Sequence, residues 1–155
     1  MHPNCAAVNE ILESAGLAGR VRILDEPAPT AAAAAALVGV EVGAIANSLV
    51  FATAEDEPVL ILTSGAHRVD LAKAAALLGT AKLRRADPDF VYAHTGQRIG
   101  GVAPVGHPAP LRTLVDEDLA AHPQVWAAGG IPHAVFPTTF AELVTLTGGT
   151  PAAVA

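Results

Sequence analysis

The sequence predicts an α+β fold in a single domain over residues 1–155: a mixed, partly antiparallel sheet with helices around it. Two features predict it. The runs SLVFATA and PVLILT flank the acidic turn EDE, the pattern of a β-hairpin. Helical segments with recognisable caps are interleaved with further apolar runs of strand length, and no linker divides the chain. Hairpins among helices argue against a doubly wound parallel sheet.

NCAAVNEILESAG reads as the first helix, with Asn4 as its cap and Val8, Ile11, Leu12 and Ala15 on one face. Residues 21–24, VRIL, form a short strand closed by DEPAP. Thr30 caps an alanine helix that ends at Gly39. After the hairpin, RVDLAKAAALLG is a helix stopped by Gly79, KLRRA a strand, and DPDFVYAHTG a helix entered through Asp87 and Pro88. LRTLVD, QVWAAGG and HAVF have strand length, and TTFAELVTLTGG is the last helix. The tail TPAAVA is expected to fray.

Composition narrows the class. The hydrophobic fraction is 52%, but alanine is its main contributor. The longest apolar run, AAAAAALVGV, is about half the roughly twenty residues that span a bilayer, so no membrane partner is expected. MHPNCAAVNEILE lacks the features of a signal peptide, which points to the cytoplasm. Cys5 is the single cysteine and carries no partner pattern. A net charge of −6 argues against a general nucleic-acid binder, DNA included. The charge is uneven, however. Arg68, Lys73, Lys82, Arg84 and Arg85 cluster in a segment where Asp70 is the sole acid, and Arg98 and Arg112 follow. Such a face either meets a phosphate backbone or is simply a solvated helix with its flanking strand.

The common catalytic signatures are absent. TGQRIGG lacks the ending of a phosphate loop, TSGAH is not a nucleophile elbow, and no dinucleotide fingerprint occurs. The six histidines make no HxH or HExxH pair, so no metal site is expected. Three turns rich in small residues remain: TSGAHR, IGGVAPVGHP and AAGGIPH. Each follows an apolar run, and strand-end loops of this kind often converge on one pocket. Glycine there lets main-chain groups approach a ligand, and proline stiffens the loop. Read from residues alone, these segments are either a rigid backbone cradle or tight turns that close a sheet.

The ordered set GAIANSLVF, VLILTSGAHRVDLAKAAALLG, KLRRADPDFVYAHTGQRIGGVAPVGHP, LVDEDL and VWAAGGIPHAVF resembles the YbaK / prolyl-tRNA-synthetase editing-domain family, over about residues 29–148. The resemblance implies a compact α+β domain around a mixed, barrel-like sheet. It implies a free-standing aminoacyl-tRNA deacylase, which clears tRNA for proline charged with a small wrong amino acid such as alanine or cysteine. The implied partners are aminoacylated tRNA and, in addition, prolyl-tRNA synthetase; no cofactor is implied.

Residue by residue, the resemblance implies that the main chain at Gly100 and Gly101 lines the scissile ester. Asp116 resembles a family aspartate near the pocket, or else caps a helix. Thr30, Ser48, Ser64, Gly65, Gly129, Gly130 and His133 match substrate-binding segments. His107 binds the tRNA terminus, or else bonds its own loop. Arg68, Lys73, Lys82, Arg84, Arg85 and Arg98 are the expected contacts to the tRNA backbone. One departure matters: Asn47 stands where the family usually has a lysine, keeping a donor and an acceptor but losing the charge. Three readings follow. Asn47 binds the terminal adenosine by hydrogen bonds alone; another basic residue such as Arg98 substitutes; or the protein is a catalytically weakened module that binds tRNA or synthetase through the same pocket. A small-ester hydrolase unrelated to tRNA is a further alternative.

Overall fold

The structure is a computed structural model that describes all 155 residues. Helix α1 (Pro3–Ser14) buries Cys5, Val8 and Leu12 at one face. Its cap is His2, whose ring accepts the Asn4 N–H; Asn4 lies inside the helix, one residue after Pro3, and its side chain donates to the Gly130 carbonyl. The expected Asn4 cap is therefore displaced by two residues, because proline fixes the first turn at position 3. Strand β1 (Arg22–Ile23) leads to α2 (Ala31–Val38), capped by Thr30 and ended by Gly39 at φ 77°, as its sequence dictates.

The hairpin pairs β2 (Ile45–Thr53) with β3 (Pro58–Ser64). β2 starts at Ile45, earlier than the run from Ser48 suggested, and so includes Asn47. Helix α3 (Leu71–Leu78) is capped by Asp70, and α4 (Pro88–Thr95) by Asp87, with strand β4 (Leu83–Arg85) between them. β5 (Arg112–Asp116), β6 (Val125–Ala128) and β7 (Ala134–Thr138) follow, then α5 (Phe140–Thr147) under its Thr139 cap. The tail does not fray. β8 (Thr150–Ala152) pairs parallel with β5, Val154 is fully buried, and its carbonyl accepts the Asp70 N–H. Small apolar residues in TPAAVA fill a place at the sheet edge, which outweighs the weak local signal.

The eight strands run in the order β1-β7-β6-β2-β3-β5-β8, with β4 joined to β2. Parallel pairs (β2–β6, β3–β5, β5–β8) and antiparallel pairs mix, as expected. β3 is apolar at both of its faces: Leu60 and Leu62 join one core cluster, Val59 and Ile61 another. Strand alternation alone sends neighbours to opposite sides, so a continuous apolar run marks a strand covered on both faces.

One detail of the topology sets up the site. β6 pairs with β2 only at Ile45 and Ala46, and β4 only from Phe51 to Thr53. Between these ladders the edge of β2 has no strand beside it.

Candidate functional site

A cavity of about 590 Å³ opens along that uncovered edge, lined by β2 from Ile45 to Phe51. Cross-strand register puts Asn47 opposite Thr63 on β3. Thr30, Arg68 and Arg85 also line the cavity, as do Gly100 and Val102 of the glycine-rich loop. Much of the remaining wall is small and apolar: Ala86, Ala127, Ala128 and Ala134. Such a wall leaves room for a compact side chain, and the two arginines add positive charge to it. Two polar atoms of its lining residues are buried without a partner, Ser48 Oγ and Trp126 Nε1.

The glycine-rich loop is tied from within. The Gln97 side chain accepts the Ala103 N–H at 2.6 Å, and the His107 ring donates to the Ala103 carbonyl at 2.8 Å. His107 is thus the loop's own fastener rather than a cavity residue, and burial pushes its pKa below the ordinary value. Gly100 holds φ 95°, and a side chain there would meet open space. Gly101 is a different case. Its N–H donates to the Arg98 carbonyl, and it packs against the backbone of Ile131 and Pro132. The N–H groups of Gly100 and Val102, on either side of it, find no acceptor within the protein.

Asp116 does not reach the cavity. It is 1% exposed, and its carboxylate accepts the Ser64 N–H at 2.8 Å, the Asp118 N–H at 3.0 Å and the Thr63 hydroxyl at 3.3 Å. It also holds the ring of His67, which lines the cavity beside Arg68. The other His67 nitrogen faces Asp118 at 3.4 Å. His67, Asp116 and Asp118 are the one group of potential metal donors, within 4.8 Å of one another. Asp116 and His67 already bond each other, while the Asp118 carboxylate is exposed.

Other expected residues have structural tasks. The Ser64 hydroxyl donates to the Gly43 carbonyl, and Gly65 sits so close to Val42 and Ala31 that a Cβ would lie 2.5 Å from the Val42 carbonyl oxygen. Gly129 and Gly130 form the β6–β7 connection and pack on Val21, Ala134 and Asn4. His133 joins this turn to the chain before α2: its carbonyl accepts the Leu24 N–H.

The basic residues separate. Only Arg68 and Arg85 of the expected set line the cavity. Arg84 pairs with Asp56, Lys73 donates to the Ala155 carbonyl, and Arg98 stacks 4.5 Å from the Tyr92 ring centroid; Lys82 is exposed and unpaired. Sequence reasoning missed His67, Trp126 and Val102. His67 and Val102 sit in two of the small-residue turns, but no spacing rule singles out a lone histidine or valine there, and Trp126 lies in an apolar run of strand length.

Comparison with known proteins bears on this geometry. The family model described as "Aminoacyl-tRNA editing domain" matches residues 25–146. The chain is 33% identical over 110 residues to the uncharacterized protein YwhH of Bacillus subtilis, covering 71% of this chain and 69% of that one. It is 35% identical over 105 residues to a proline–tRNA ligase of Bordetella petrii, where the match takes in 61% of this chain but only 18% of the ligase. The crystal structure of a candidate trans-editing enzyme for prolyl tRNA synthetase superposes with a TM-score of 0.90 at 46% identity, over 98% of this chain and 96% of the other.

Proposed function

The chain belongs to the aminoacyl-tRNA editing-domain family, and we propose that this deacylase acts in trans on tRNA for proline charged with a small wrong amino acid, alanine or cysteine. One observation supports the reading above the others: a single cavity joins small apolar walls, free main-chain donors and two arginines. A synthetase pocket cannot fully reject a smaller side chain, because one methylene discriminates by only about 1–3 kcal/mol. A second pocket that admits the small residue and hydrolyses its ester corrects the error. Its work belongs with translation in the cytoplasm, alongside prolyl-tRNA synthetase.

The ester is already activated, so catalysis needs a positioned water and a stabilised oxyanion. In this reading, the free N–H groups of Gly100 and Val102 receive the oxygen that gains charge. They are fixed donors in a partly dry site and need no reorganisation as the tetrahedral centre forms. Asn47, which also lines the cavity, contributes a donor and an acceptor, and Arg68 and Arg85 supply the charge that a lysine at 47 would have given. Asp116 is a positioning residue. It orients His67 and the turn at Ser64 and touches no substrate.

The deciding experiment charges one purified tRNA for proline with alanine, cysteine, serine or proline in turn and follows amino-acid release in chelator. Release of alanine or cysteine, with proline retained, is expected. No release from any ester would remove this reading and favour the module that binds tRNA or synthetase without hydrolysis, to which the loss of a lysine at 47 lends its support.

A further inference from the structure

Two arginines lie over aromatic rings of α4, outside the cavity. Arg84 is 5.8 Å from the Phe90 centroid, but it is also paired with Asp56, and Phe90 packs onto the core. Tyr92 differs. It is 47% exposed, and the guanidinium above it belongs to Arg98, which has no carboxylate partner. The next residue, Ile99, is 45% exposed and lines the cavity with Gly100. A cation-backed apolar strip therefore runs from Tyr92 through Arg98 to Ile99, which lines the cavity.

We infer that Tyr92, Arg98 and Ile99 form a stacking platform for the unpaired nucleotides that precede the terminal adenosine of a tRNA. This rests on the tRNA reading given above. Every base has a flat π face, and unpaired bases stack on exposed aromatic rings and guanidinium planes. The Arg98 side chain is already laid over Tyr92, so less freedom is lost when a base adds to the stack. The charge of Arg98 complements the RNA, and Arg85 and Arg68 add positive charge to the cavity wall. Asp89 stands one turn before Tyr92 on α4 and disfavours a phosphate directly over the ring. The face thus suits an uncharged base rather than the backbone contact that sequence assigned to Arg98.

The test uses the full chain with two probes: a short single-stranded RNA ending in CCA, and a tRNA from which the single-stranded 3′ nucleotides have been removed. Tyr92→Ala is expected to weaken binding of the single strand about tenfold, with an unchanged salt slope. Tyr92→Phe should bind within about twofold of the parent, because stacking needs the ring and not the hydroxyl. Neither variant should alter binding of the trimmed tRNA or the thermal midpoint. The platform is overturned if the parent does not bind the single strand, if Tyr92→Ala binds it as the parent does, or if Tyr92→Ala weakens both probes alike. Amino-acid release measured in parallel keeps the two ideas apart: Tyr92-dependent binding without hydrolysis supports the platform and removes the deacylation reading.

Discussion

Gly101 lies against the backbone of Ile131: a Cβ on Gly101 would fall 2.3 Å from the Ile131 carbonyl carbon. This approach locks the glycine-rich loop to the β6–β7 connection, so two of the three small-residue turns seen in the sequence meet here. The glycine pair therefore divides its labour. Gly101 permits the close approach, and Gly100, at φ 95°, bends the chain along the cavity.

Gly101→Ala should damage the fold more than the chemistry. The neighbour is backbone and cannot swing aside, so a loss of about 2 kcal/mol or more is expected. Gly100→Ala meets no neighbour but strains a positive φ, at about 1 kcal/mol, and tilts the N–H donors. It should cost at least tenfold in turnover, about 1.4 kcal/mol of barrier. Thermal midpoints and single-turnover rates of the two variants decide this; a Gly101→Ala protein with the parent's midpoint would refute the packing account.

Asp116→Ala strips a buried acceptor from the Ser64 N–H, the Asp118 N–H and the Thr63 hydroxyl. Unpaired buried donors cost about 1–3 kcal/mol each, and partial relaxation leaves an expected loss of about 3 kcal/mol. His67→Ala keeps those bonds and should lose less than half as much. Urea denaturation of both variants checks the ranking.

His107 makes the loop acid-sensitive. Burial favours the neutral imidazole and places its folded pKa below the ordinary 6.5. Below about pH 6.5 the unfolded chain takes up a proton that the folded chain resists. Stability contributed by this group is therefore complete above pH 6.5 and falls as pH drops toward the folded pKa. His107→Gln should flatten this part of the stability–pH curve, as followed by thermal unfolding between pH 8 and pH 5. An identical acid slope in parent and variant would rule the histidine out as its source.

Arg68→Ala and Arg85→Ala should each make the salt dependence of tRNA binding shallower, by about 0.7–0.9 in the log–log slope for each phosphate that is no longer neutralised. Arg84→Ala should change it less, since that side chain is already occupied by Asp56. Equal slopes for all three would mean that the cavity arginines do not meet phosphate.

The order of elements was legible in the sequence because its signals are local. Thr30, Asp70, Asp87 and Thr139 each cap the helix that follows, and Gly39, Gly79, Gly96 and Gly148 end them at positive φ. The hairpin showed itself by its acidic turn, and the ordered motifs from GAIANSLVF to VWAAGGIPHAVF carried the family. What the sequence could not show depends on which distant groups meet. Gly100 and Gly101 are neighbours in the chain, yet only the approach of Ile131 separates a cavity residue from a packing residue. Asp116 read as either a pocket acid or a helix cap; in the structure it caps the 3-10 turn Glu117–Ala121, and Thr63, Ser64 and His67 close around its carboxylate. The six basic residues looked alike, and only Arg68 and Arg85 reach the cavity, because Asp56, Tyr92 and the Ala155 carbonyl hold three of the others. Caps and turns are decided within a few residues of backbone geometry. Burial, pairing and the gap along β2 are decided by strands far apart in sequence, so no local pattern encodes them.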